Sequence, residues 1–270
     1  MKKSVLHAVL LSLLVGVVLY LFLHREKLIE KFQNGSGNSS INFVDGAFIG
    51  DVNGKTVYFF RDNKYWKWDY TRKDDSRKGL TSLKPSLISA NFIGDPYRVP
   101  DNIDGVFKRT RTDDDTKNDK KYFFKGQYVY RYDKNATGGV EFRGKISDHW
   151  SGVPDDIDAV FQRSSRTGDN GEGIIYFFKG GKYYRYVDGN VENPNGSPLI
   201  KNWFDSREDA PNRIDAVFEI LTDSHGIRIY FFSGDQYWAY SEESNNIEYK
   251  NNITDGFGIP PPSPTDPVTL

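Results

Sequence analysis

The chain has 270 residues, a formal charge of −1, 15% aromatic residues and no cysteine. The near-neutral balance argues against the one-sided excess of Lys and Arg that phosphate-driven nucleic-acid binding needs. The missing cysteines exclude a disulfide framework, a thiolate metal site and a cysteine nucleophile, while the length is enough for one sizeable core or two small ones.

Val5–Leu23 (VLHAVLLSLLVGVVLYLFL) carries no formal charge and is flanked by Lys2, Lys3, Arg25 and Lys27. At about 1.5 Å per residue it spans roughly 30 Å, the hydrocarbon thickness of a bilayer. A cleaved leader is the competing reading, but Tyr20–Leu23 offers no small-residue cleavage site, so one transmembrane signal-anchor over residues 1–24 is expected. Basic residues on both sides leave its orientation open. Residues 25–40, with "QNGSGNSS", have the composition of a flexible stalk, and residues 261–270 form a Pro-rich tail. Asn-X-Ser/Thr acceptors at Asn34, Asn38, Asn135 and Asn252 favour a lumenal or extracellular body, at a cell surface or a viral envelope. Asn195 is a poorer acceptor because Pro198 follows it.

From Ile41 to Pro260 one unit is written four times. It opens as "VDGAF" at Val44, "IDGVF" at Ile103 and "IDAVF" at Ile157 and Ile214, which places Asp45, Asp104, Asp158 and Asp215 at intervals of 59, 54 and 57 residues. A second phrase follows each opening without a gap: "YFFRDNKYWKW", "YFFKGQYVYRY", "YFFKGGKYYRY" and "YFFSGDQYWAY". "YFF" is aromatic strand material, the residues behind it are turn formers, and the phrase then resumes as a hairpin partner. An unbroken apolar run predicts a strand buried on both faces, between two neighbouring sheets. The closing phrases "PSLISANF", "GKISDHW", "SPLIKNWF" and "NNITDGF" predict a short helix or turn on the rim. Four small sheets that cannot bury their aromatic faces alone pack face to face, and closing the array removes its ends.

The expected fold is therefore all-β, a four-bladed β-propeller preceded by one transmembrane helix. The opening, hairpin and closing phrases together resemble hemopexin repeats, as in hemopexin and the C-terminal domains of matrix metalloproteinases. The resemblance implies that the inner strands line a tunnel holding calcium, with sodium and chloride alongside it. Its ligands would be main-chain carbonyls of Asp45, Asp104, Asp158 and Asp215 and of Ala47, Val106, Val160 and Val217. It also implies a disulfide between first and last blades, which this chain lacks, so ring closure must rest on packing between the Val44 and Tyr230 repeats.

Independently of the resemblance, four aspartates at one depth around an axis suit a hard cation. The alternative is that each side chain braces its own turn, and the two roles are compatible. The recurring aromatics Trp66, Trp68, Tyr130, Tyr184 and Trp238 read as inter-blade core rather than a ligand surface. Lys108–Lys121, where charges nearly cancel, reads as a solvated loop. Of four histidines, only His149 and His225 lie in the repeats, with no HExxH, GxSxG or phosphate-cradling loop. A non-catalytic module binding a protein, matrix or glycan partner is expected, tethered to a membrane. A carrier or sensor of haem, polyamine or metal is the alternative.

Overall fold

The computed structural model describes residues 43–50, 56–69, 79–82, 84–109, 120–134, 139–167, 173–222 and 226–262. The apolar segment 5–23, the stalk and the end of the tail lie outside these. Among the described residues no helix is long and apolar enough to cross a membrane.

Four antiparallel sheets follow one another. The first blade is β1 (Gly46–Ile49), β2 (Thr56–Arg61), β3 (Lys64–Asp69) and β4 (Ser86–Leu87), and the second is β5 (Gly105–Lys108), β6 (Lys121–Lys125), β7 (Tyr128–Tyr132) and β8 (Val140–Lys145). The third holds β9 (Ala159–Thr167), β10 (Gly173–Lys179), β11 (Lys182–Val187), β12 (Asn190–Val191) and β13 (Ser197–Pro198). The fourth holds β14 (Ala216–Thr222), β15 (Gly226–Ser233), β16 (Gln236–Ser241) and β17 (Asn246–Asn252). The closing phrases become the rim helices α1 (Ile88–Asn91), α2 (Ile146–His149), α3 (Leu199–Trp203) and α4 (Ile253–Phe257), as expected from the sequence. The innermost strands surround one axis: β1 adjoins β5 and β14, and β9 adjoins the same two. Their approach is close enough that a Cβ on Gly46 would lie 2.9 Å from Val106 Cγ1, and one on Gly105 would lie 3.0 Å from Val160 Cγ1.

The two phenylalanines of each "YFF" explain why the strand is apolar without interruption. Successive side chains of a strand point to opposite faces. The first of each pair packs toward the preceding blade and the second toward the following one. Phe60 and Phe123 meet in the seam between blades one and two, Phe124 and Phe177 between two and three, and Phe178 and Phe231 between three and four. Phe232 and Phe59 meet in the seam that closes the ring. There Phe59 lies 5.6 Å from Phe218, 5.7 Å from Phe232 and 5.2 Å from Phe257, ring centre to ring centre. Arg61, stacked on Trp66, adds a hydrogen bond from its guanidinium to the Pro260 carbonyl at 2.8 Å. Among the described residues, closure thus rests on aromatic and aliphatic packing with the Arg61–Pro260 hydrogen bond added, where a disulfide would otherwise tie the ends.

The outer edges depart from four even strands. In the first blade the outermost strand is broken, with Thr81 N bonding Lys67 O and β4 pairing only with Lys64 and Tyr65. In the third, β12 and β13 both pair β11, and Asn193 patches the gap between them. Its amide accepts from Arg185 N at 2.6 Å and donates to Tyr183 O at 2.8 Å, standing in for a missing peptide unit. Asn193→Ala should cost about 1–3 kcal/mol by leaving those two main-chain groups without their partner, measurable as a shift in the urea midpoint.

Candidate functional site: the leading aspartates and the central axis

Each leading aspartate does the same mechanical work. Its backbone N–H donates to the second phenylalanine of its own blade: Asp45 to Phe60 O (2.7 Å), and Asp104, Asp158 and Asp215 to Phe124, Phe178 and Phe232 O (2.8 Å each). One carboxylate oxygen then accepts from the first residue of the hairpin turn: Asp62 N at 2.8 Å, Gly126 N at 2.5 Å, Gly180 N at 2.5 Å and Gly234 N at 2.8 Å. All four turn residues have positive φ, between 55° and 57°. Glycine reaches that region without strain and aspartate is tolerated. The turn-bracing role considered from sequence is thus what the side chains perform.

The second carboxylate oxygens differ. Lys125 Nζ reaches Asp104 Oδ1 at 2.8 Å. Arg213 Nε lies 3.2 Å from both Asp158 Oδ1 and Asp215 Oδ1. Burial pushes the Asp215 carboxyl above the ordinary carboxylate range and the Asp158 charge adds to this, while Gly234 N–H and Arg213 oppose it.

The main chain is the remaining donor set at the axis. Gly50 N bonds Thr56 O, and Cα partners run Ala47↔Phe59 and Phe48↔Tyr58. Hydrogen-bonded positions alternate along an antiparallel ladder, so Ala47 turns its N–H and C=O away from β2, toward the neighbouring inner strands. Arg109 N bonding Lys120 O sets the same phase for Val106, and Val160 and Val217 hold the same register position in β9 and β14. Four peptide oxygens there are hard, neutral donors, the chemistry calcium and sodium take. Among the described residues no group of three or more His, Cys, Asp or Glu side chains stands together. A cation at the axis would therefore be held by peptide groups.

Trp66 and Trp238 are buried as expected for core, whereas Trp68, Tyr130 and Tyr184 are half-buried beside it. His149 packs edge-on to Phe142 at 4.6 Å and to Trp150 at 6.0 Å. His225, Asn34, Asn38, Asn135 and residues 110–119 of the charged loop lie outside the described residues. Asn252 is exposed at the end of β17, and Asn195 is exposed between β12 and β13 at the third blade's edge.

The sequence reading did not find Arg213. Aligned on the leading aspartate, its position holds Phe43, Asn102 and Asp156 in the other repeats. That break in the repeat was the available signal. The fourth blade's tyrosines are likewise unusual: burial pushes the Tyr237 phenol up to about 12, with Tyr249 adding to the shift, and it raises Tyr230 as well. The unfolded phenol ionises near 10 and the folded one about two units later, so this contribution is intact below pH 10 and is lost as pH rises to 12. The loss is about 1.4 kcal/mol per unit. Tyr237→Phe should flatten the fall in stability between pH 9.5 and 11.5 in urea titrations.

These features define the class: a hemopexin-like four-bladed propeller. The hemopexin family model matches residues 44–87 and 214–261, the first and last blades. Human vitronectin is 37% identical over 128 residues, covering 47% of this chain and 24% of that protein. Matrix metalloproteinase-21 of Cynops pyrrhogaster is 30% identical over 221 residues, covering 74% of this chain and 32% of that protein. The chain spans about a quarter of the length of the vitronectins it matches. Among solved structures, a hemopexin-fold protein from cow pea aligns over 81% of this chain and 96% of its own, with a TM-score of 0.61 at 22% identity. A lectin from Cicer arietinum with two metal-binding sites aligns over 82% and 99%, with a TM-score of 0.61 at 18% identity. At those identities the likeness speaks for the fold.

Proposed function

We propose that the chain is a non-catalytic docking module, a propeller presented to a protein, matrix or glycan partner and held at a membrane by its N-terminal apolar segment. The observation that carries this is where the repeated residues go. The "YFF" rings fill the seams and the leading aspartates brace turns, so the repeated sequence builds a scaffold. Specificity is then left to unrepeated loops and edges. The vitronectins and matrix metalloproteinases it resembles support a protein or matrix partner. A structural cation on the axis, held by the carbonyls of the leading aspartates and of Ala47, Val106, Val160 and Val217, completes the reading. The lectin with metal sites supports it.

Three measurements test this. If the propeller lies in a lumen or outside the cell, glycosidase treatment of the full-length chain from mammalian cells lowers its mass, and Asn135→Gln with Asn252→Gln reduces the shift. A propeller cut by protease on the cytosolic side would overturn the extracellular reading. Calcium added after chelation should raise Tm, and an unchanged melt removes the cation from the proposal. Binding to immobilised matrix proteins and to a glycan array then separates the partner classes, and binding to neither argues against docking.

A further inference from the structure

Beside the four turns at the mouth of the ring, the last strand residue directly after the "YFF" phrase is Arg61, Lys125, Lys179 and Ser233 in turn. Arg61 bonds the Pro260 carbonyl, Lys125 pairs with Asp104, and Lys179 bonds the Asp155 carbonyl. The fourth blade has no cation at this position. Its leading aspartate is also the most enclosed of the pair it forms with the third blade, with side-chain exposures of 3% for Asp215 and 18% for Asp158. Two carboxylates from different blades converge there, each already fixed through Oδ2 to a turn N–H. Their Oδ1 atoms are both 3.2 Å from one guanidinium nitrogen. Among the described residues neither Asp215 Oδ1 nor Arg213 Nε has a hydrogen-bond partner, so the contact works as charge on charge rather than as an aligned hydrogen bond.

We propose that Arg213 is a resident cation filling a built carboxylate site between the third and fourth blades, and that the same two carboxylates take a divalent cation when the guanidinium is removed. Two like charges held this close, one of them buried and the other partly so, repel unless a positive charge lies between them. The oxygens are hard donors on separate elements, held in place by turns that do not depend on Arg213. That is the requirement for a preorganised calcium or magnesium site completed by water. The site is distinct from the proposed peptide-oxygen site, because it uses side chains and is filled by the chain itself. In the native protein, the guanidinium makes this seam independent of the divalent cation concentration.

The test is calcium stoichiometry by titration calorimetry on the full-length chain in detergent, with melting curves in chelator and in calcium. Arg213→Gln should melt lower in chelator, by about 5 °C, and should bind one calcium more than the native chain, recovering most of the lost Tm as it fills. Arg213→Gln combined with Asp158→Asn should lose that extra calcium. Arg213→Lys, which keeps the charge, should retain the native stoichiometry and most of the native Tm, and it serves as the measurement if the glutamine variant does not fold. Equal stoichiometry in Arg213→Gln and the native chain overturns the proposal, as does an Arg213→Lys protein that melts no higher than Arg213→Gln. A native chain that binds no calcium, beside an Arg213→Gln chain that binds one, would remove the axial cation and leave this inference standing.

Discussion

Replacing Phe59 with alanine should destabilise the propeller by about 3–5 kcal/mol, the range for truncating a large buried aromatic. Phe59 is fully buried and packs edge-on or tilted against three rings, all from the fourth blade. The cavity therefore opens in the seam that joins the ends of the chain. That seam also has the largest entropic cost to form, because its partners are the most distant in sequence. Without a disulfide, the rest of the seam among the described residues is further apolar packing, including the Trp68–Phe257 contact at 5.2 Å and the aliphatic groups Val57, Leu80, Ile220 and Ile253, together with the Arg61–Pro260 hydrogen bond. Phe59→Leu, which keeps most of the volume, should cost much less, about 1 kcal/mol. Urea unfolding of both variants checks this. A Phe59→Ala loss below 1 kcal/mol would mean that ring closure lies elsewhere.

The second large effect is expected at Glu242. Its carboxylate pairs with the Arg163 guanidinium across the seam between blades three and four. Arg163 is buried, with its guanidinium carbon 5.5 Å from the centre of the Trp203 ring. Removing one partner of a buried ion pair leaves the other charge in a poor solvent, so Glu242→Ala should cost about 3–5 kcal/mol. Replacing both, Arg163→Met with Glu242→Leu, should cost clearly less than Glu242→Ala alone, because no orphaned charge remains. Equal losses in the single and double variants would show that packing, not charge, dominates the site. Denaturation midpoints give the comparison, and adding Arg163→Met and Glu242→Leu singly completes a double-mutant cycle.

Together the two predictions separate the seams. The closing seam is held mainly by aromatic area, while the seam between blades three and four carries two charge clusters, Arg163–Glu242 and Arg213 with Asp158 and Asp215. Acid should therefore act on a different part of the ring than a cavity at Phe59 does.

The repeat alone determined the number of blades, the place of each hairpin and the double burial of "YFF". All three follow from local rules: a period of two along a strand, turn residues with positive φ, and apolar faces too large for one small sheet to cover. The ambiguity left open at the aspartates was also local in kind. One residue type can brace a turn or face an ion, and the spacing is the same in both cases. Only the tertiary structure decided it for the side chains, by placing each carboxylate on its own turn N–H. Nor could any local pattern show that Asn193 replaces a stretch of edge strand. Arg213 is the clearest example. In the sequence it is one basic residue ahead of the fourth opening phrase, and its partner Asp158 is more than fifty residues away. It acquires its role because ring geometry brings the mouths of two blades together, and charge interactions depend on distance in space rather than along the chain.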